Sequence, residues 1–390
     1  MKKMLMAAGM AAVMTACGTA GQKAATDAGN PFLAEYSTPF GVPPFDLIKV
    51  EHYKEAFLKG MEEQKKEIDA IVNQRSVPDF DNTIAAFDQS GELLNKVSTV
   101  FSGLNSCNTN DEMQAFNKEI TPLLSAHRDD ISLNPALFAR VKEVYERREK
   151  LGLDKEQNKL LEETYKKFVR GGANLDSVDQ AKLRQLNSEI SMLQLTFGQN
   201  LLKETNAFEL VIDKKEDLAG LPESLVASAA EAAKGAGMEE KWLFTLHNPS
   251  VMPFLQYADN RELREKIFKG YINRGNNGNE ADNNEIVKKL VALRLEKAKL
   301  MGYADYASFI LEDRMAKNEE NVYRLLNQIW TPAVAKAKEE LSDIQAEIKK
   351  EGANFTPEGW DWRYYFEKAK KAKFSLDENE VRPYLELNNV

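Results

Sequence analysis

At 390 residues the chain can bury one large core or two ordinary ones. Its 21 Gly and 13 Pro are few enough to favour long regular elements over a turn-rich β protein. The 52 Lys and Arg stand against 61 Asp and Glu, a net charge of −9 without a basic stripe, which argues against nucleic acid as a partner.

Lys2 and Lys3 make a positive start, Met4 to Met14 is an apolar run of eleven, and Thr15 and Ala16 precede Cys17. The run is too short to span a bilayer comfortably, so residues 1–17 read as an export signal peptide. Met14-Thr15-Ala16-Cys17 resembles a bacterial lipobox, with Met14 where Leu is usual. Cys17 is then the expected lipidation site, with several acyl chains anchoring the protein to a membrane. The alternative is ordinary cleavage after Ala20. Either way the expected location is the bacterial cell envelope, as a lipoprotein facing the periplasm in the first case. Cys107 is left without a disulfide partner or a Cys–His signature and is expected to be a small buried or half-buried thiol. Residues 18–40 lack periodicity and read as a tether and N-terminal strap.

From Phe45 the pattern is helical almost throughout. Val50, Tyr53, Ala56, Phe57, Met61, Ile68 and Ile71 form one amphipathic stretch ending near Pro78. Asn82-Thr83 starts another, through Ile84, Phe87, Leu93, Leu94 and Val97. Further helices are expected at about 110–129, 134–151, 155–170 and 177–205, with Gly171-Gly172 separating the last two. Phe208 to Ile212 and Trp242 to Leu246 are β-favouring runs able to pair, a small β excursion within 207–247. Helical character returns by Asn260, and Asn273 to Asn279 is a loop before a helix starting near Asp282.

The longest stretch runs from Asn318 to Lys350. Val322, Leu325, Leu326, Ile329, Trp330, Ala333, Val334, Ala337, Leu341, Ile344 and Ile348 keep a three-and-four spacing, which predicts a helix burying one face. Asn318 is its cap, Pro332 is expected to kink it and Gly352 to close it. The aromatic run Trp360-Asp361-Trp362-Arg363-Tyr364-Tyr365-Phe366 follows. The fold class is therefore all-α, antiparallel helix hairpins with one small β excursion.

The chemistry-bearing patterns are mostly negative. No G-x-S-x-G elbow and no glycine-rich phosphate loop occur; Gly235-Ala236-Gly237 reads as a helix terminus. The three histidines, His52, His127 and His247, do not pair at i, i+4, the spacing that sets two imidazoles on one helix face for zinc. His52 with Glu55 and His127 with Asp130 read as helix-surface pairs, and His247 as structural. The residues alone describe a helical domain without a complete active site.

Several segments taken in order nevertheless resemble the thimet-oligopeptidase-like zinc metallopeptidases, the peptidyl-dipeptidase branch most closely. They are Thr38-Pro39-Phe40-Gly41-Val42-Pro43-Pro44-Phe45, Phe80-Asp81-Asn82-Thr83-Ile84, Phe168-Val169-Arg170-Gly171-Gly172-Ala173 and Phe197-Gly198-Gln199-Asn200-Leu201. Tyr257-Ala258-Asp259-Asn260-Arg261-Glu262-Leu263-Arg264, Leu311-Glu312-Asp313-Arg314-Met315-Ala316, Trp360 to Tyr365 and Val381-Arg382-Pro383-Tyr384-Leu385 continue the match. The resemblance covers about residues 31–390.

It implies hydrolysis of short peptides by a zinc-bound water, held by H-E-x-x-H and a later glutamate. No position of this sequence matches those ligands. The expectation is thus that residues 41–390 are the N-terminal helical part of a zinc oligopeptidase fold, truncated and inactive alone, binding no zinc and contributing one wall of a peptide channel. Trp360, Trp362, Tyr364 and Tyr365 are candidates either for that wall or for a packed aromatic core. The whole enzyme is expected to be a monomer releasing C-terminal dipeptides. An endo-acting oligopeptidase and a non-catalytic peptide-binding lipoprotein are the rival readings.

Overall fold

The computed structural model describes residues 29–375 and 378–389; the signal segment, Cys17 and residues 18–28 of the tether lie outside them. Among the described residues the fold is all-α apart from one short ribbon, as the periodicity predicts.

The strap enters first. Phe32 sits buried against Tyr53, ring centroids 5.2 Å apart, and Lys96 donates to the carbonyls of Phe32 and Ala34 at 3.1 and 2.7 Å. Helix α1 (Val50–Asn73) then packs on α2 (Glu92–Cys107) and α3 (Asp111–Ser132). Tyr53, Phe57, Val97, Phe101, Phe116 and Ile120 fill the space between them. Helix α1 stops at Asn73 rather than near Pro78, and the next expected helix is broken in two. A wide turn, Phe80–Ala85, leads to Gly91 at φ +80°, and only after that does α2 begin. The left-handed backbone at Gly91 is the break that apolar spacing alone does not reveal.

Helices α4 (Pro135–Glu146) and α5 (Lys155–Arg170) close a second cluster with Ile68, Ile71, Ile84, Leu137, Phe138, Val141, Leu161 and Phe168. Their starts follow local chemistry. The Asn134 side chain accepts from the amides of Ala136 and Leu137 beside Pro135, and Asp154 exchanges hydrogen bonds with Gln157 across the first turn of α5. Helix α6 (Ser177–Ala207) runs back along α3.

The β excursion is present and small. Strand β1 (Leu210–Ile212) pairs antiparallel with β2 (Trp242–Phe244), Leu210 opposite Phe244, with α7 (Glu223–Gly235) between them in sequence. Together with α8 (Asn248–Tyr257) and α9 (Arg261–Ile272) they enclose Leu210, Ile212, Phe244, Leu246, Phe254, Leu255 and Ile267. Helix α10 (Asn284–Leu300) returns along α6, and the short α11 (Tyr306–Leu311) follows it.

Helix α12 (Glu319–Lys350) starts where expected: Asn318 accepts from the Asn321 amide at 2.9 Å. It ends where expected too, Gly352 at φ +77° and the Ala353 amide reaching back to Ile348. The buried face does not follow the pattern. Only Ile344 and Ile348 are buried, where α13 (Gly359–Phe374) packs on the last turns; Leu325, Leu326, Ile329 and Trp330 are exposed, Trp330 by 69%. The helix passes through Pro332 as one continuous element. Periodicity reports a face able to be buried; among the described residues nothing covers it.

Two smaller expectations also fail. Cys107 is exposed, the last residue of α2 and off the face that Leu104 turns to the core. His127 is buried at 5% exposure and binds Gln64 rather than Asp130, whose carboxylate turns instead to Lys65 and Arg184. No helix among the described residues is long and apolar enough to cross a membrane.

Candidate functional site

The aromatic run begins α13, and its one acidic residue organises everything around it. Asp361 is fully buried. It accepts from Arg261 Nε at 3.0 Å and Nη2 at 2.7 Å, from Arg264 Nη2 at 3.1 Å, and from the Glu358 amide at 3.0 Å. Arg264, 1% exposed, spends its other protons on the carbonyls of Trp360, Ala258 and Asp259. The Asp361 carboxylate and the Arg264 guanidinium thus both have their partners, the condition under which a buried ion pair persists.

The aromatic side chains stack on these charges. The Arg264 guanidinium lies 4.0 Å from the Tyr364 ring centre, and that of Arg261 4.3 Å from Phe355 and 5.5 Å from Trp360. Tyr364 donates to Asp259 at 2.7 Å, and Tyr365 to Glu351 at 3.0 Å. Burial pushes both phenols up from their ordinary value, and for Tyr365 the Glu351 carboxylate adds to it. Burial also works to raise the Asp361 carboxyl, but the hydrogen bonds from Arg261, the Glu358 amide and Arg264 outweigh it and hold the group below the usual carboxylate range. A carboxylate so held is a poor proton shuttle near neutral pH. The junction is a clamp joining α9 to α13.

The four aromatic candidates therefore divide. Tyr364 and Tyr365 are buried between α12 and α13 with Ile344 and Ile348. Trp360 is half-buried, edge-on to Phe268 at 6.1 Å, and Trp362 packs half-buried beside Phe355. Asp361, Arg261 and Arg264 carry the junction and were not singled out from the sequence for this role. Their pairing spans 97 to 100 residues, which no local pattern displays. The available signal was an acidic residue inside the densest aromatic run.

The histidines stay apart in role. His52 Nδ1 accepts from the Lys49 amide at 3.1 Å as part of the α1 cap. His247 precedes α8 and bridges Thr245 at 3.0 Å and Asn206 at 3.1 Å, beside a cavity of about 860 Å³ walled by α7, β2 and α8. Among the described residues no three His, Cys, Asp or Glu side chains come together in a group that could hold a metal ion.

Comparison with known proteins gives a consistent picture. Residues 254–390 match the pattern of Peptidase family M3. The chain is 40% identical over 361 residues to the dipeptidyl carboxypeptidase of Escherichia coli (strain K12), covering 93% of this chain and 53% of that protein. It is 29% identical over 356 residues to the oligopeptidase A of Haemophilus influenzae, covering 90% of this chain and 52% of that protein. A third relative, "Probable cytosolic oligopeptidase A" of Arabidopsis thaliana, is 28% identical over 375 residues, covering 93% and 52% respectively. The chain spans about half the length of the curated relatives it matches.

These relatives overturn the exported, lipid-anchored location expected from residues 1–17. They are named as peptidases, one of them cytosolic, and the lipobox reading stood on four residues after a short apolar run. So short and composition-driven a signal is easily imitated by an unrelated N-terminus. The lipoprotein reading, and a membrane as partner, are withdrawn.

Proposed function

We propose, from the premise that this chain belongs to peptidase family M3, that the whole protein is a zinc peptidyl-dipeptidase which shortens small peptides by removing C-terminal dipeptides. The observation that carries this reading is the ranking of relatives. Identity is 40% to a dipeptidyl carboxypeptidase but 29% to an oligopeptidase A over a nearly equal stretch. In this reading zinc supplies the hydrolytic water, and its ligands come from residues other than the 390 here, which hold no H-E-x-x-H. These residues contribute a helical wall to the peptide channel. The exposed apolar side of α12, with Leu326, Ile329 and Trp330, is the surface that receives the rest of a monomeric enzyme.

The test uses the whole protein and a pair of peptides differing only at the C-terminus. Successive dipeptides should leave the free-acid peptide, a chelator should stop the reaction, and the amidated peptide should stay intact. Internal cleavage of both peptides would reject the dipeptidase reading in favour of an endo-acting oligopeptidase, which the oligopeptidase A matches support.

A further inference from the structure

We propose that Asn277 is a site of self-modification: its side-chain amide is converted to a carboxylate through a cyclic imide with Gly278, and the new charge releases residues 276–280 from α6. Asn277-Gly278 is the one Asn-Gly pair in the sequence. It lies in the loop between α9 and α10, and both residues are exposed. Gly278 has φ +63° and open space where a Cβ would stand, so no side chain crowds the nitrogen that has to attack.

The reaction needs only water. The Gly278 nitrogen attacks Asn277 Cγ, forming a C–N bond, and the bond from Cγ to Nδ2 breaks. The Gly278 proton passes to Nδ2, which leaves as ammonia. Water then opens one of the two C–N bonds of the imide, giving aspartate or isoaspartate at 277. The structure supplies one aid and one brake. The Gly278 N–H donates to Asp282 Oδ2 at 2.8 Å, so an acceptor for the departing proton is in place. The amides of Asn284 and Gly278 hold that carboxyl below the usual range, so it is ionised at neutral pH. The brake is Glu204, which accepts from Asn277 Nδ2 at 2.8 Å and keeps the amide turned to α6. Ring closure proceeds when that one bond opens.

The product does not fit where the amide did. Glu204, 8% exposed on α6, accepts from the Gly275 amide, from Asn277, and from Asn279 Nδ2 at 2.6 Å. Burial works to raise its carboxyl, but these three hydrogen bonds outweigh it and keep the group ionised. Conversion replaces one of the three donors by a second carboxylate. Two carboxylates in contact do not both stay ionised, so they separate or one takes up a proton. The ends of the loop have their own ties to α6: Arg274 donates to Thr205 at 3.1 Å and Asn283 to the Phe197 carbonyl at 3.1 Å. Between them, once Glu204 lets go, the exposed Lys203–Glu280 pair is a weak hold. The released part is therefore the tip.

Peptide mapping by mass spectrometry of the whole protein, kept in mildly alkaline buffer, tests the site. Asn277 should gain the mass of an amide-to-acid change, with isoaspartate among the products, and Asn277→Gln, whose longer side chain cyclises poorly, should stay unchanged. Asn277→Asp installs the product charge directly, and a protease of broad specificity should cut within 276–280 at least about tenfold faster than in the parent. In Glu204→Gln/Asn277→Asp the new amide can donate to the new carboxylate, so cutting should slow again, a rescue that a loop damaged in any other way would not show. The proposal is overturned if Asn277 keeps its amide in the whole protein while a peptide of residues 273–284 loses its own. It is equally overturned if Asn277→Asp is cut no faster than the parent, or if the double variant is cut as fast as Asn277→Asp.

Discussion

Replacing Asp361 by alanine should be among the most damaging single changes in the described chain. Its side chain is 0% exposed, and its partners differ sharply: Arg264 is 1% exposed and Arg261 38%. Removing the carboxylate leaves the Arg264 guanidinium buried without a counter-charge, because its remaining bonds reach only neutral carbonyls. Breaking one side of a buried pair costs about 3–5 kcal/mol. Asp361→Asn keeps the shape and some acceptor capacity and should cost about 2–3 kcal/mol. Arg261→Met, at the wetter partner, should cost about 1 kcal/mol. The double variant Asp361→Leu/Arg264→Met removes both buried charges and should recover much of the single-variant loss. Urea unfolding followed by tryptophan fluorescence measures all four, provided the slope with denaturant is unchanged. A loss below about 1 kcal/mol for Asp361→Ala, or a double variant less stable than Asp361→Ala, refutes the clamp.

Acid should weaken the fold through His127. Burial first, and then Lys65, lower its pKa below the ordinary imidazole value of 6.5, against the opposing pull of Asp130. The unfolded chain therefore takes up the proton first, so stability is intact above about pH 6.5 and declines as the pH falls below it. Urea midpoints at several pH values should show this decline, and His127→Gln should flatten it; an unchanged slope in the variant sinks the assignment. The exposed face of α12 predicts that the 390-residue chain by itself binds a hydrophobic dye, and that Leu326→Ser/Trp330→Ser reduces the signal without lowering stability by more than about 0.5 kcal/mol. A monodisperse chain that leaves the dye dark speaks against an uncovered contact surface.

Most helices were legible because their causes are local. Apolar spacing marked α1, start and stop signals around Gly171-Gly172 marked α5 and α6, and Asn318 caps α12 as expected; Asn134, Asp154 and Asn260 also cap helices, a role seen only in the structure. The β excursion was legible for the same reason, two β-favouring runs of matching length. The break at Gly91 was not, since a single residue at positive φ interrupts a helix without disturbing the apolar pattern around it.

What the sequence by itself determined is the class of fold, the approximate spans of its helices, the cap of α12 at Asn318 and a family resemblance carried by ordered short segments. Those features depend on neighbours a few residues apart. Which faces are covered and which charges meet was decided only in three dimensions. The α12 pattern states that a face is apolar, and only the packing shows Ile344 and Ile348 covered and Trp330 bare. Asp361 looked like one polar residue in an aromatic run until α9 brought Arg261 and Arg264 to it. Burial and ion pairing are properties of surfaces joined from distant parts of the chain, so no local spacing encodes them.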